Sequence, residues 1–272
     1  KDFGGFDHNE QCLRILTYLE KRYFGFNGLN LSWETLEGIV KHNGIIKKPN
    51  SFITDLDSKF DFKLSINTSI EGQIASIADD VAYMTHDFDD GLNYGLFNLE
   101  EIKQLPIVGE KIDEIIKVDP NIEKNILAHE MIRRVVSVLI EDILKETRKR
   151  IQYHSPENVD QIRNYKNLLV GFSEKFRSDI KILRKFLNKK MWRHPKFEKL
   201  RKLSQEIVST LFEKLISNSG HLKDLCLENN LIFQDNMDNE EHSRLVADNL
   251  SFLTDRNAKI QYNKCLKMID GN

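Results

Sequence analysis

The chain has 272 residues, 40% hydrophobic and 30% charged, with 40 Lys/Arg against 42 Asp/Glu and a formal charge of −2. This balance excludes disordered, collagen-like and disulfide-scaffold classes and argues against a wholly basic nucleic-acid binder; at roughly 100–200 residues per domain the length allows one large or two small domains. Cys12, Cys226 and Cys265 are odd in number and far apart, and no leader-like run precedes them, which predicts a reducing cytoplasm. No apolar run approaches the ~18 residues of a membrane span, so no membrane partner is expected. The opening Lys1-Asp2-Phe3-Gly4-Gly5 has no initiator methionine, which predicts a fragment.

Five prolines and 13 glycines punctuate the chain, and apolar residues recur at i, i+3 and i+4 rather than in alternation, so the expected fold is all-α. A first helix is predicted from about Asn9 to Arg22, with Cys12, Leu13, Leu16 and Leu19 on one side. A second starts at Ser32 as its cap, carries Trp33, Leu36 and Val40, and ends near Asn43-Gly44. Residues 45–67 read as an irregular connection. Thr68-Ser69-Ile70-Glu71 has the form of a capping box opening a helix that runs to Asp90-Gly91. A short turn over Leu99–Gln104 and a short helix around Ile112–Ile116 precede a long helix from Asn121 to about Arg150, with Ile122, Ile126, Ile132, Val136, Leu139 and Ile143 as its inward stripe. Helices near 158–168, 172–190, 195–217 and 240–267 follow, with breaks at Ser155-Pro156, His194-Pro195 and Ser219-Gly220.

Charge is uneven. Residues 145–202 hold 18 Lys/Arg against 6 Asp/Glu. Runs of this kind usually form solvated helix faces; a surface for polyanions is the alternative. His129 lies beside the apolar stripe of the long helix and reads as a satisfied core histidine.

The most informative segment is the helix from Ile70. At about 100° per residue, Ile70, Ile74, Ile77, Val81 and Met84 fall within ~40° of the direction opposite Asp79 and form the expected core stripe. Asp79, Tyr83, His86, Asp87 and Asp90 line up on the other side over roughly 100° of surface, flanked by small residues such as Gly72, Ala75, Ser76 and Ala82. There is no Lys or Arg between Thr68 and Gly91, so the carboxylates lack a local counter-charge. A divalent metal would neutralise them, since carboxylate oxygen suits Mg²⁺ or Mn²⁺ and mixed His/Asp sites suit other transition metals. Arginines from a neighbouring helix would serve equally well.

Four stretches carry a family resemblance: Phe6-Asp7-His8-Asn9-Glu10-Gln11 with Leu13-Arg14-Ile15; Leu29-Asn30-Leu31-Ser32-Trp33 to Ile39-Val40-Lys41-His42; Ile77-Ala78-Asp79-Asp80-Val81-Ala82-Tyr83 with His86-Asp87; and Leu253-Thr254-Asp255-Arg256-Asn257-Ala258. The chain resembles the deoxyguanosine triphosphate triphosphohydrolase (dGTPase) family of HD-domain phosphohydrolases. The resemblance implies an HD-domain-like helical array with its N-terminal HD helices missing: residues 1–150 as the C-terminal part of the catalytic domain, and 151–272 as a helical subdomain. It implies a cytoplasmic homo-oligomer that hydrolyses a dNTP to deoxynucleoside and tripolyphosphate with a divalent metal. Asp79 would be the metal's last ligand, Tyr83 and Asp87 would contact the deoxyribose, and Asn9 and Lys41 the phosphates.

His42 departs from the tyrosine usual after that lysine. The remaining metal ligands and the catalytic groups of the family would lie upstream of Lys1, so this stretch alone is expected to be inactive. The 145–202 region would offer a site for single-stranded nucleic acid or an effector nucleotide. The rival reading is a non-catalytic helical protein that binds nucleotides or nucleic acid and regulates.

Overall fold

The computed structural model describes residues 5–270, with side chains described through 266; the opening Lys1-Asp2-Phe3-Gly4 lies outside the described residues. The all-α expectation holds: the chain is a series of helices, and no strand occurs among the described residues. Two compact units form, and each draws on segments distant in sequence. Of the described residues, unit 1 combines 5–36, 49–59 and 196–270; unit 2 combines 37–48 and 60–195.

Unit 1 begins with α1 (His8–Arg14), capped by the Asp7 side chain accepting from the Glu10 amide, and continues into a wider π turn over Ile15–Leu19. The single helix expected to Arg22 therefore stops at Glu20. Gly28, at φ +70, explains how the chain turns back: a Cβ there would overlap the Leu16 carbonyl, and the Leu29 amide donates to that same oxygen at 2.8 Å. Within residues 45–67, expected to be irregular, α3 (Ser51–Phe60) forms behind Asn50, whose side chain accepts from the Ile53 amide. The C-terminal part supplies α10 (Glu198–Ser217), α11 (Ser219–Glu228), α12 (Asn239–Ser251) and α13 (Asp255–Asp270). The break expected at Ser219-Gly220 is instead the first turn of α11, capped by Asn218. The last predicted helix is two, because the Thr254 hydroxyl accepts from the Asn257 amide and restarts the spiral. Leu19, Leu215, Leu222, Leu225, Cys226, Leu231 and Val246 form the buried core of this unit.

Unit 2 takes in the C-terminal end of α2 (Trp33–Val40), a helix whose first amides are capped by Ser32 as expected. It then holds α4 (Ile70–Asn93), α5 (Leu99–Ile102), α6 (Val108–Val118), α7 (Lys124–His154), α8 (Val159–Asn164) and α9 (Glu174–Leu187), the last running into a π turn over Asn188–Trp192. α7 packs against α4 and α6. Its buried row is Leu127, Met131, Val135, Leu139, Ile143 and Thr147, a strict four-residue repeat. Leu139 and Ile143 of the expected stripe belong to this row, whereas Ile132 and Val136 are half-buried beside it, Ile126 is 52% exposed and Ile122 precedes the helix. Phe88 of α4, Phe97 and Phe186 of α9 pack as a three-ring cluster with centroids 5.1–6.0 Å apart. Gly91 makes room for it, since a Cβ there would overlap the Phe97 ring. Among the described residues no helix is long and apolar enough to cross a membrane.

Candidate functional site

α4 is capped by Ser69, whose hydroxyl accepts from the Gly72 amide at 3.3 Å. Thr68, expected in that role, instead has a buried hydroxyl without a hydrogen-bond partner. Val81 and Met84 are buried, so the C-terminal end of the expected core stripe faces inward as predicted, and Phe88 continues it, whereas Ile74 is 48% exposed. The polar strip lies opposite.

At its head, the Asp79 side chain is 68% exposed and Oδ2 lies 3.4 Å from His42 Nε2. Among the described residues no guanidinium pairs with Asp79; it is Asp80 that takes Arg184, at 2.9 Å. One turn on, the Tyr83 ring lies 6.0 Å from that of Trp192, and burial together with the nearby Asp87 carboxylate raises its phenol above the ordinary value. Asp87 is buried, and its Oδ2 accepts from Trp192 Nε1 at 2.6 Å. Burial pushes its carboxyl above the usual range and the neighbouring Asp90 adds to this, outweighing the indole hydrogen bond and His86. Trp192 was not foreseen as part of the site, being 105 residues downstream of Asp87 with only core packing to suggest a role.

Lys41 sits elsewhere in unit 2, 1% exposed, its ammonium donating to Glu37 Oε1 at 3.0 Å and to the Asn67 carbonyl at 3.3 Å. Burial lowers its pKa, with Glu37 opposing the shift. Glu37 also accepts from Arg163 Nε and Nη2 at 2.9 and 3.0 Å, and these bonds with those from Lys41 hold its carboxyl low despite burial. Asn9 is half-buried in the first turn of α1, in unit 1. Unit 2 thus brings Asp79, Tyr83 and Asp87 onto one strip, while Lys41, next in the chain to the His42 that meets Asp79, is engaged in a buried ion pair with Glu37. His129 is not a core residue: its side chain is 72% exposed, with Nδ1 3.9 Å from Asp89 Oδ1, because the true buried row of α7 passes through Leu127 and Met131 instead.

A metal ion is a separate question of donors. Asp79 and His42 are two neighbouring groups of the right chemistry, but no cluster of three His, Cys, Asp or Glu able to hold an ion occurs among the described residues. These side chains alone do not make a metal centre.

The phosphohydrolase-associated domain family matches residues 170–264. A deoxyguanosinetriphosphate triphosphohydrolase-like protein of Brucella canis is 38% identical over 267 residues, covering 95% of this chain and 65% of its own length. One from Parvibaculum lavamentivorans is 41% identical over 222 residues, 79% of this chain and 56% of its own length. One from Caulobacter sp. strain K31 is 36% identical over 273 residues, 98% of this chain and 68% of its own length. The chain belongs to the dGTPase-like family. It spans about 65% of the length of the Brucella relative it matches. The dGTPase-like match runs through the Asp79–Asp87 helix and the strip it carries, while the associated-domain match takes in α9 and Trp192.

Proposed function

We propose that the whole protein is a dNTP triphosphohydrolase that releases deoxynucleoside and tripolyphosphate, with the strip on α4 as the sugar-facing wall of its site. The observation that carries this is the pairing of a buried Asp87, held by the Trp192 indole, with a half-exposed Tyr83 one turn away, beside an Asp79 that pairs with no arginine among the described residues. A metal ion would supply charge neutralisation and an activated water. Asp79 offers one carboxylate toward it, with the other ligands outside the described residues.

What this chain contributes is positioning. Trp192 engages Oδ2 of Asp87 and so fixes the carboxyl plane, leaving Oδ1 to meet a 3′-hydroxyl. The Tyr83 ring, propped by Trp192, occupies the side on which a ribose 2′-hydroxyl would clash, which selects deoxynucleotides. Fixing a substrate in this way is worth several kcal/mol of barrier by avoided entropy loss, roughly 7–11 kcal/mol in the best-oriented cases. Lys41 is assigned to the phosphates and reaches one only by exchanging its bond to Glu37 for it.

The full-length protein, supplied with Mg²⁺ or Mn²⁺, is expected to convert dGTP to deoxyguanosine and tripolyphosphate, read by ion-exchange chromatography. Asp79→Ala should abolish this while circular dichroism stays unchanged. Stepwise release of orthophosphate would overturn the reading. Absence of any turnover in the full-length protein would favour the non-catalytic binding protein instead.

A further inference from the structure

The indole that steadies Asp87 owes its place to a local departure at the end of α9. The buried residues of that helix are Ile180, Leu183 and Leu187. At about 100° per residue an unbroken α-helix would carry Trp192 to about 140° from Leu187, away from this row. The turn over Asn188–Trp192 is instead wider by one residue, closed by the Arg193 amide donating to the Asn188 carbonyl at 3.0 Å. Absorbing one residue returns Trp192 to about 40° from Leu187, the direction from which it meets Tyr83 and Asp87. The position of the indole thus depends on the width of a single turn.

Such π turns are rare and frequent at functional sites, so what holds this one matters. Lys190, within the turn, donates to Oε1 of Glu101 on α5. Glu101 is itself fixed. Its Oε2 accepts from the Asn98 amide at 3.1 Å, while Asn98 Oδ1 accepts from the Glu101 amide at 2.9 Å, the capping box of α5. The Lys190 ammonium first, and the Asn98 amide after it, hold the Glu101 carboxyl below its ordinary value. The segment around α5 is tied to the core of unit 2 through the fully buried Ile102 and through Phe97, whose ring lies 6.0 Å from Phe88 and 5.1 Å from Phe186. Lys190 and Glu101 are each 35% exposed, so their pairing adds little to stability and its effect is one of geometry.

We propose that Glu101 and Lys190 are positioning residues for the strip on α4: their pairing holds the π turn, the turn places Trp192, and the indole fixes the Asp87 carboxyl and props the Tyr83 ring. Neither residue touches substrate. Without the pair the turn narrows toward α-helical width, which rotates the indole by about 100° and leaves Asp87 and Tyr83 unsupported. The consequence for choosing deoxynucleotides rests on the hydrolase reading; the hold on Trp192 does not.

Trp33→Phe leaves Trp192 as the sole indole of the 272-residue chain, so emission and acrylamide quenching report its placement directly. In that background Glu101→Gln keeps an oxygen for the cap and turns an amide toward Lys190, and Lys190→Met removes the donor. Each should shift the emission to longer wavelength and raise quenching by about twofold, and Lys190→Arg, which keeps a charged donor, should restore the parent values. Asn98→Ala removes the other half of the capping box while leaving the pair intact, and should leave Trp192 unchanged. In the full-length protein supplied with Mg²⁺, the preference for dGTP over GTP should shrink by about threefold or more in Glu101→Gln and Lys190→Met and stay constant in Asn98→Ala. Unchanged emission in either pair variant, an equal change in Asn98→Ala, or an undiminished preference in a full-length Glu101→Gln that still turns over dGTP would each overturn the proposal. The expected emission changes together with no turnover of dGTP by the full-length parent would sink the hydrolase reading alone and leave the hold of Glu101 on Trp192 standing.

Discussion

Asp87 is a group placed against its own stability. Its carboxyl is buried, has Asp90 nearby and receives a hydrogen bond from the Trp192 indole. Because burial raises its folded pKa above the ordinary 3.8, the folded state holds the proton more tightly than the unfolded chain does. The stabilising contribution of that proton is complete below about 3.8 and is lost as pH rises through the folded value. Asp87→Asn keeps the acceptor for Trp192 and removes the buried charge. The variant should therefore melt at a higher temperature than the parent at pH 7, with the gain vanishing as pH falls below the ordinary aspartate value, as read by calorimetry across pH. Activity of the full-length protein should fall in the same variant, since a neutral amide replaces the acceptor for the 3′-hydroxyl. A melting temperature lowered at pH 7 would mean that the charge is stabilised by something other than these contacts.

At the scale of elements, the buried triad of Glu37, Lys41 and Arg163 ties the end of α2 to α8 within unit 2. Deleting one member of such a group strands a buried charge, whereas replacing it with packed apolar residues is often neutral or favourable. Arg163→Ala should cost about 3–5 kcal/mol in urea unfolding, and the combination of Arg163→Met, Glu37→Leu and Lys41→Met should recover most of it. A single-variant loss below about 1 kcal/mol would show that water already screens the triad.

The same scale shows what the sequence could and could not reveal. α4 was legible because its apolar residues repeat on one side and its other side carries no cation; Val81, Met84 and the Asp79–Tyr83–Asp87 strip fall where the 100° rule puts them. In α7 Leu139 and Ile143 are buried as expected, but Ile126, Ile132 and Val136 were read one position off the buried row because apolar residues occupy most of its circumference. Ile126, Ile140 and Leu144 are as hydrophobic as the Leu127, Met131 and Leu139 that are buried, and only packing against α4 and α6 chooses between them. α3 was hidden because Pro49-Asn50-Ser51 before it and the alternating Phe60-Asp61-Phe62 after it read as a loop, and the partners of Asp80 and Asp87 were hidden because contacts between distant segments leave no local pattern. Lys41 shows the converse: its motif was legible, but its engagement with Glu37 and Arg163 was not.

For the whole molecule, burial and exposure are not distributed as an isolated globular chain would have them. α4 and α7 enclose a groove of about 410 Å³ lined by Ile74, Ile77, Val81, Ile140, Ile143 and Leu144 among others, and Ile74, Ile140 and Leu144 are each nearly half exposed. Apolar surface costs roughly 25 cal/mol for every Å² left in water, and soluble monomers rarely leave such side chains contiguous. The 272-residue chain should therefore bind an apolar reporter dye at this groove and show an apparent mass that climbs with concentration in light scattering. Both effects should weaken in Ile140→Glu, which places a charge at an already exposed position of α7 and leaves its buried four-residue row untouched. Their persistence in that variant would place the sticky surface elsewhere, for instance at Leu227 and Ile232 of unit 1, which are 72% and 70% exposed.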